Sequence, residues 1–141
     1  MSNSTPEQKL AAMGLTLPVV PTPVANYVPY RWAGNLVLLS GQGPKKPDGT
    51  FEIGRLGKNA TVEDGYRAAH LTGLQLLAVA KSAIGELRAS GRWSKLLGTV
   101  NAEPDFGDLP KGINGCAQPV GMGSLSNGAM VEIEAILLVR P

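Results

Sequence analysis

Near the C-terminus the chain reads Met130-Val131-Glu132-Ile133-Glu134-Ala135-Ile136-Leu137-Leu138-Val139. Side chains alternate across a strand, so Val131, Ile133, Ala135, Leu137 and Val139 share one face, and Met130, Glu132, Glu134, Ile136 and Leu138 the other. The first face is apolar throughout. The second begins acidic and turns apolar. That pattern predicts a central or interfacial strand whose acidic end opens into a polar pocket. Glu132 is the leading candidate for chemistry there, with Glu134 two residues further along the same face.

The rest of the chain supplies neighbours for this strand. Leu36-Val37-Leu38-Leu39-Ser40 is apolar almost throughout and reads as a strand buried on both faces. A short strand over Tyr27 to Trp32 precedes it, joined through the tight turn Ala33-Gly34-Asn35. Thr61 opens the main helix. Its hydroxyl can cap free backbone N–H groups, and Glu63 and Asp64 sit in the first turn, where the helix dipole favours acids. Asp64, three residues after Thr61, makes a variant of the capping box. Tyr66, Ala69, Gly73, Leu77, Ala80 and Ile84 recur at spacings of three and four, which predicts the buried stripe, widened by Leu74 and Leu76.

Leu96 to Ala102 is a further strand, and Asp105 to Cys116 is polar, with a helical turn at most. Met122 to Leu125 is short and extended, and Ser126-Asn127-Gly128 makes a hairpin turn into the last strand. At the other end, residues 1–16 form an extension with a short helix over Pro6 to Met13, capped by Thr5 and with Pro6 at its first position. Three prolines between Leu17 and Pro23 exclude a regular inner strand, so that stretch runs extended. Residues 17–141 then make a single α+β domain, one helix layer on one sheet face. The other sheet face is also apolar, which predicts association of copies through it.

Composition narrows the function classes. The 141 residues suit one domain, and 43% hydrophobic against 17% charged leaves few charges to cover a lone protomer. Net charge is +2 and the basic residues are scattered, with no aromatic ladder, which weighs against nucleic acid as a partner. The single cysteine, Cys116, excludes an internal disulfide and fits a reducing compartment. The single histidine, His70, excludes multi-histidine zinc chemistry. Gly54 and Gly57 form a turn, since the lysine and serine of a phosphate loop are missing. No signal-peptide pattern opens the chain and no apolar run approaches the roughly 18 residues of a membrane span. The expected home is the cytoplasm, with no membrane partner.

Three segments together carry a likeness. Asn26-Tyr27-Val28, Leu38-Leu39-Ser40-Gly41-Gln42-Gly43-Pro44 and Val131-Glu132-Ile133-Glu134-Ala135-Ile136 resemble the RidA/YjgF/UK114 family of reactive intermediate deaminases, also called endoribonuclease L-PSP. Asn101 to Phe106 and Ile113-Asn114-Gly115 are similar to a longer branch of it. The resemblance implies a chorismate-mutase-like fold and a homotrimer with a barrel-like core and ligand clefts between subunits. It implies hydrolysis of small enamines and imines, of the 2-aminoacrylate type, to 2-oxoacids and ammonia, with no metal or cofactor. The alternative is a non-catalytic trimer that binds a small carboxylate-bearing metabolite.

The family's ligand-lining positions fall on Tyr27, Ser40, Gly41 and Asn114, and its strand carboxylate on Glu132 as the catalytic group. Glu134 and Cys116 are supporting candidates. The resemblance also implies an arginine, just before the penultimate strand, that clamps the substrate carboxylate. That position falls on Ala117, and no arginine lies between Lys95 and Val139. A second helix of about 15 to 20 residues is implied in the same place, but the few residues between Asn114 and Val120 are too short for it at about 1.5 Å each. Either the protein has lost the helix and the clamp, or a segment holding both is missing from this form of the chain; the second is expected, and turnover of the chain as it stands is expected to be weak or absent.

Overall fold

The computed structural model describes residues 4–20, 22–23, 25–109 and 118–140. In chain order the elements are helix α1 (Pro6–Ala12), strands β1 (Tyr30–Ala33) and β2 (Leu36–Gln42), helix α2 (Val62–Ile84), and strands β3 (Ser90–Asn101), β4 (Gln118–Met122) and β5 (Val131–Val139). The strands form one sheet in the order β1-β2-β5-β3-β4. The C-terminal strand is thus the central one. It runs antiparallel to β2, with Val37 opposite Leu137 and Leu39 opposite Ala135. On its other edge it runs antiparallel to β3, with Thr99 opposite Glu132 and Leu97 opposite Glu134.

The alternation of β5 is realised as the sequence predicts. Val131, Ile133, Ala135 and Leu137 are buried, and Val131 and Leu137 are wholly inaccessible. They join Val37, Leu39 and Val100 from the neighbouring strands and Ala68, Leu76 and Val79 from α2 in one core. Burying such a side chain contributes about 1.5–3 kcal/mol, so the layer of α2 on β2 and β5 is the main stabilising contact.

The start of α2 follows its predicted chemistry in full. Thr61 Oγ1 accepts from the Asp64 N–H at 3.2 Å, and the Asp64 carboxylate accepts from the Thr61 N–H at 2.7 Å, so both halves of the capping box are present. The buried stripe differs from the expected one. Gly65, Ala68, Thr72, Leu76 and Val79 face the sheet, whereas Tyr66, Ala69, Gly73 and Leu77 sit about one residue, or 100°, further round the helix. Leu76 and Ala80 are buried as expected, and Ala69, Leu77 and Ile84 pack partly buried against the core. The helix carries two adjacent apolar arcs, and only tertiary packing selects which one meets the sheet.

Two other expectations are corrected. Leu36 to Ser40 is not buried on both faces of the protomer: Val37 is inaccessible, but Leu38 on the opposite side is 41% exposed. Among the described residues no layer covers that side. The turn at Ser126–Gly128 forms, with Asn127 and Gly128 both at positive φ, but it joins no hairpin. β4 begins earlier, at Gln118, and pairs in parallel with β3 at the sheet edge, while β5 inserts between β2 and β3. The first strand likewise starts at Tyr30 rather than Tyr27, leaving Tyr27 in the approach to it.

Helix α1 has a full capping box of its own, Thr5 with Gln8. It is tied to the body through Glu7, whose carboxylate accepts from the Leu87 N–H at 2.8 Å and lies 3.7 Å from Lys81 Nζ. The Leu87 hydrogen bond, above all, holds the Glu7 pKa below its usual 4.5. A carboxylate whose pKa falls on folding adds stability above its unfolded pKa and loses it as pH drops through the folded one. The tether is therefore expected to be complete above about pH 4.5 and to fade below it. Thermal midpoints measured across that range should be lower for Glu7→Gln than for the parent at neutral pH, and the two should converge in acid.

Candidate functional site

Glu132 lies on the face of β5 that α2 does not cover. Its backbone carbonyl is fixed twice over, by the ladder to β3 and by the Thr99 hydroxyl, which donates to it at 2.9 Å. On the other edge, the pairing of β2 with β5 slips between Leu39 and Gln42. Such a bulge turns the strand and re-aims what it carries. Here it brings Gly41 against the Glu132 side chain. A methyl group built on Gly41 would collide with Glu132 Oε1 and stand 3.1 Å from Cγ and Cδ. Glycine at this position is what lets the carboxylate lie directly over the β2 backbone.

Ser40, next to Gly41, acts first as a strut. Its hydroxyl donates to the Val28 carbonyl at 2.6 Å and its N–H to the Pro29 carbonyl at 3.0 Å. These bonds hold the segment before β1 against β2 although Pro29 has no N–H to give. The result is a shallow hollow of about 530 Å³, lined by Ala25, Asn26, Tyr27, Val28, Arg31 and Ser40. Tyr27 is 48% exposed, so its ring forms an open wall.

The structure therefore brings four of the expected residues together on one side of the sheet: Tyr27 and Ser40 in the hollow, and Gly41 in contact with Glu132. Glu134 shares that side but is exposed, opposite Leu97. Among the described residues neither glutamate makes a salt bridge. Asn114 and Cys116, and Ala117 at the clamp position, lie outside the described residues. Arg31 was not singled out from the sequence. It stands opposite Leu38 on the open face and lines the hollow beside Tyr27. The signal was present: in a strand, Tyr27 and Arg31 fall on one face by period two. Among the described residues no three side chains of histidine, cysteine, aspartate or glutamate converge as a metal site, and no helix is long and apolar enough to cross a membrane.

The sequence profile of the family described as "YjgF/chorismate mutase-like, putative endoribonuclease" matches residues 7–122, most of the chain. The chain belongs to the YjgF family. Protein TCP17 of Trypanosoma cruzi is 32% identical over 144 residues, covering 91% of this chain and 90% of that protein. The crystal structure of a Shewanella oneidensis protein bearing the same endoribonuclease description superposes with a TM-score of 0.91 at 28% identity, over 96% of this chain and all of the other. Atu1372 of Agrobacterium tumefaciens, a protein described as of unknown function, is 34% identical with a TM-score of 0.80, over 95% of this chain and 92% of that one. The YjgF fold expected from the sequence is thereby established for this chain.

The contact between Gly41 and Glu132 is directly testable. In Gly41→Ala the carboxylate, the free end of a flexible side chain, is expected to swing aside at a cost of no more than about 1 kcal/mol. The carboxylate's position in a crystal structure of the variant, together with a nearly unchanged thermal midpoint, checks this.

Proposed function

We propose that the hollow and the adjoining Glu132 bind small carboxylate-bearing imines or enamines and promote their hydrolysis to 2-oxoacids and ammonia. The observation that carries this reading is the Glu132 carboxylate held over the bare Gly41 backbone, beside a hollow that contains one cation, Arg31. Arg31 offers a planar pair of donors that match a carboxylate. Tyr27 supplies a flat wall for the short carbon chain. Glu132 is placed to take a proton from water as the water oxygen adds to the C=N carbon. Glu132 passes that proton to nitrogen to give the carbinolamine, then relays the carbinolamine's hydroxyl proton to the amino group; the C–N bond breaks, ammonia leaves, and the C=O bond of the 2-oxoacid forms. Water is the only co-reactant.

The hollow is open on one protomer, and the apolar residues beside it, Leu36, Leu38, Ile136 and Leu138, are partly exposed. Association of three copies through this face would enclose the hollow and bury those side chains, as the family resemblance implies. Exclusion of water from the cleft would strengthen every charge interaction in it. A second reading, binding without turnover, is favoured by one observation: residues 96 to 138 contain no arginine, so the carboxylate clamp implied at position 117 is an alanine. Arg31 is then the only anchor identified, and turnover in this form of the chain is expected to stay close to the rate in buffer. The weak, scattered positive charge gives no support to an RNA substrate.

Titration calorimetry with 2-oxobutanoate tests the binding step. A charge-assisted hydrogen bond contributes about 1.5–3 kcal/mol, so Arg31→Ala should weaken the affinity roughly 10- to 100-fold. Glu132→Gln should leave it within a few-fold while abolishing any hydrolysis of 2-iminopropanoate above buffer. Equal binding by the parent and Arg31→Ala would refute the anchor. Turnover retained by Glu132→Gln would refute the role of the carboxylate.

A further inference from the structure

Residues outside the named strands extend the sheet at the end where Glu132 lies. The segment 51–57 pairs with it at two points: Ile53 bridges antiparallel to Ala129, and Leu56 bridges parallel to Ala102. The Leu56 N–H donates to the Asn101 carbonyl at 2.9 Å, and the Glu103 N–H donates to the Leu56 carbonyl at 2.9 Å. Leu56 and Ala102 are both buried in the core that α2 shares. Side chains alternate along paired strands, so Arg55, Asn101 and Glu103 turn to the other side, the one that carries Glu132. The ladder of β3 and β5 agrees. Thr99 stands opposite Glu132, and two residues further along β3 the Asn101 N–H donates to the Met130 carbonyl at 2.9 Å.

Arg55 sits in a built setting. Its N–H donates to Asn59 Oδ1 at 2.8 Å, and the Ala60 N–H donates to its carbonyl at 3.1 Å, so a tight turn fixes its backbone. Gly57, at φ 85°, brings that turn against the end of β3: a methyl group there would stand 3.4 Å from Glu103 Cβ and 3.2 Å from the Phe106 ring. Arg55 Nε lies 2.9 Å from Glu103 Oε1. Its N–H is not directed at that oxygen, and the buried Nε forms no hydrogen bond among the described residues. Nη1 and Nη2 form none among them either, and the side chain is 29% exposed. Asn101 is 8% exposed, and its Oδ1 is buried without a partner among the described residues. Paired strands lie about 4.8 Å apart, so Arg55 and Asn101 are neighbours on one face. An unmatched buried acceptor destabilises a fold, and an ion pair without a directed hydrogen bond adds little to it. Stability therefore gives no reason for this pairing of residues.

We infer that Arg55 and Asn101 form an anion subsite on the Glu132 face, one that takes the carboxylate of a small organic acid. The terminal nitrogens of Arg55 offer the paired donors that a planar carboxylate matches. Glu103 stands in for that anion in the free protein. With a carboxylate on Nη1 and Nη2, the guanidinium is released from Glu103 and turns its Nε–H toward Asn101 Oδ1, so the unmatched donor and acceptor satisfy each other. Arg55 enters the face beside β3, whereas Arg31 enters it from the edge strand β1, so the two cations are separate anchors. The subsite goes beyond the reading of the hollow and does not depend on turnover at Glu132.

The test titrates 2-oxobutanoate into Arg31→Ala, which removes the anchor of the hollow, and follows the arginine Nε–H resonances by NMR. The Arg55 resonance is assigned by its loss in Arg55→Gln or, should that variant not fold, in Arg55→Lys. It is expected to shift saturably. Glu103→Gln, which removes the competing carboxylate, should tighten the binding by up to about five-fold. Asn101→Leu, apolar and of similar size, should weaken it roughly 2- to 10-fold while the thermal midpoint stays unchanged or rises. A purely structural ion pair predicts the reverse pattern: Glu103→Gln lowers the midpoint and leaves the titration unchanged. That result, or an Arg55 resonance without a saturable shift, would overturn the inference. The response of Arg31 in the parent chain reports on the hollow separately, so either anchor can fail alone.

Discussion

The hydrogen bonding of β5 along both of its edges is the constraint from which the rest follows. A strand paired on both sides cannot slide without breaking two ladders at once. A slip of one residue would carry Glu132 and Glu134 into the core and turn Val131, Ile133 and Leu137 out to solvent. The burial of Val131 and Leu137 against α2 therefore fixes not only the core but also the direction in which Glu132 points. Stability and site share one register: the same alternation that places the aliphatic side chains under the helix places the carboxylate on the far face.

The site is built on backbone more than on side chains. Glu132 is positioned by two strand ladders and by the Thr99 hydroxyl on its own carbonyl. The bulge in β2 brings Gly41 beneath it, and the Ser40 hydroxyl secures the Tyr27 segment next to it. Glu132, Gly41 and Ser40 belong to the sheet, whereas Tyr27 comes from the segment before β1 and is tied to the sheet through the bonds of Ser40. Arg31 adds a charge from the edge strand, where a long side chain keeps its head in water and can reach across the hollow.

Among the described residues two apolar surfaces lie uncovered, and they differ in kind. The open sheet face is flat, carries Leu36, Leu38, Ile136 and Leu138, and borders the polar hollow. A flat face of this sort suits a like face of another copy. The groove beside α2 is concave, with Gly73 of α2, Trp93 of β3 and Ile133 of β5 in its walls.

Period-two alternation made β5 legible from sequence alone, because a strand with one buried face must repeat its chemistry every second residue. The same holds for both capping boxes, which rest on contacts three residues apart, and for the family segments around Tyr27, Ser40, Gly41 and Glu132. Long-range arrangement was decided elsewhere. Nothing local says that β5 inserts between β2 and β3 or that β4 pairs in parallel with β3, since these choices depend on which apolar faces can be buried together. The two arcs of α2 are equally apolar when read along the helix, so only the sheet chose between them. Thr99 joined the candidate site for the same reason: side chains far apart in sequence become neighbours through strand register, which is a property of the folded sheet and not of any one segment.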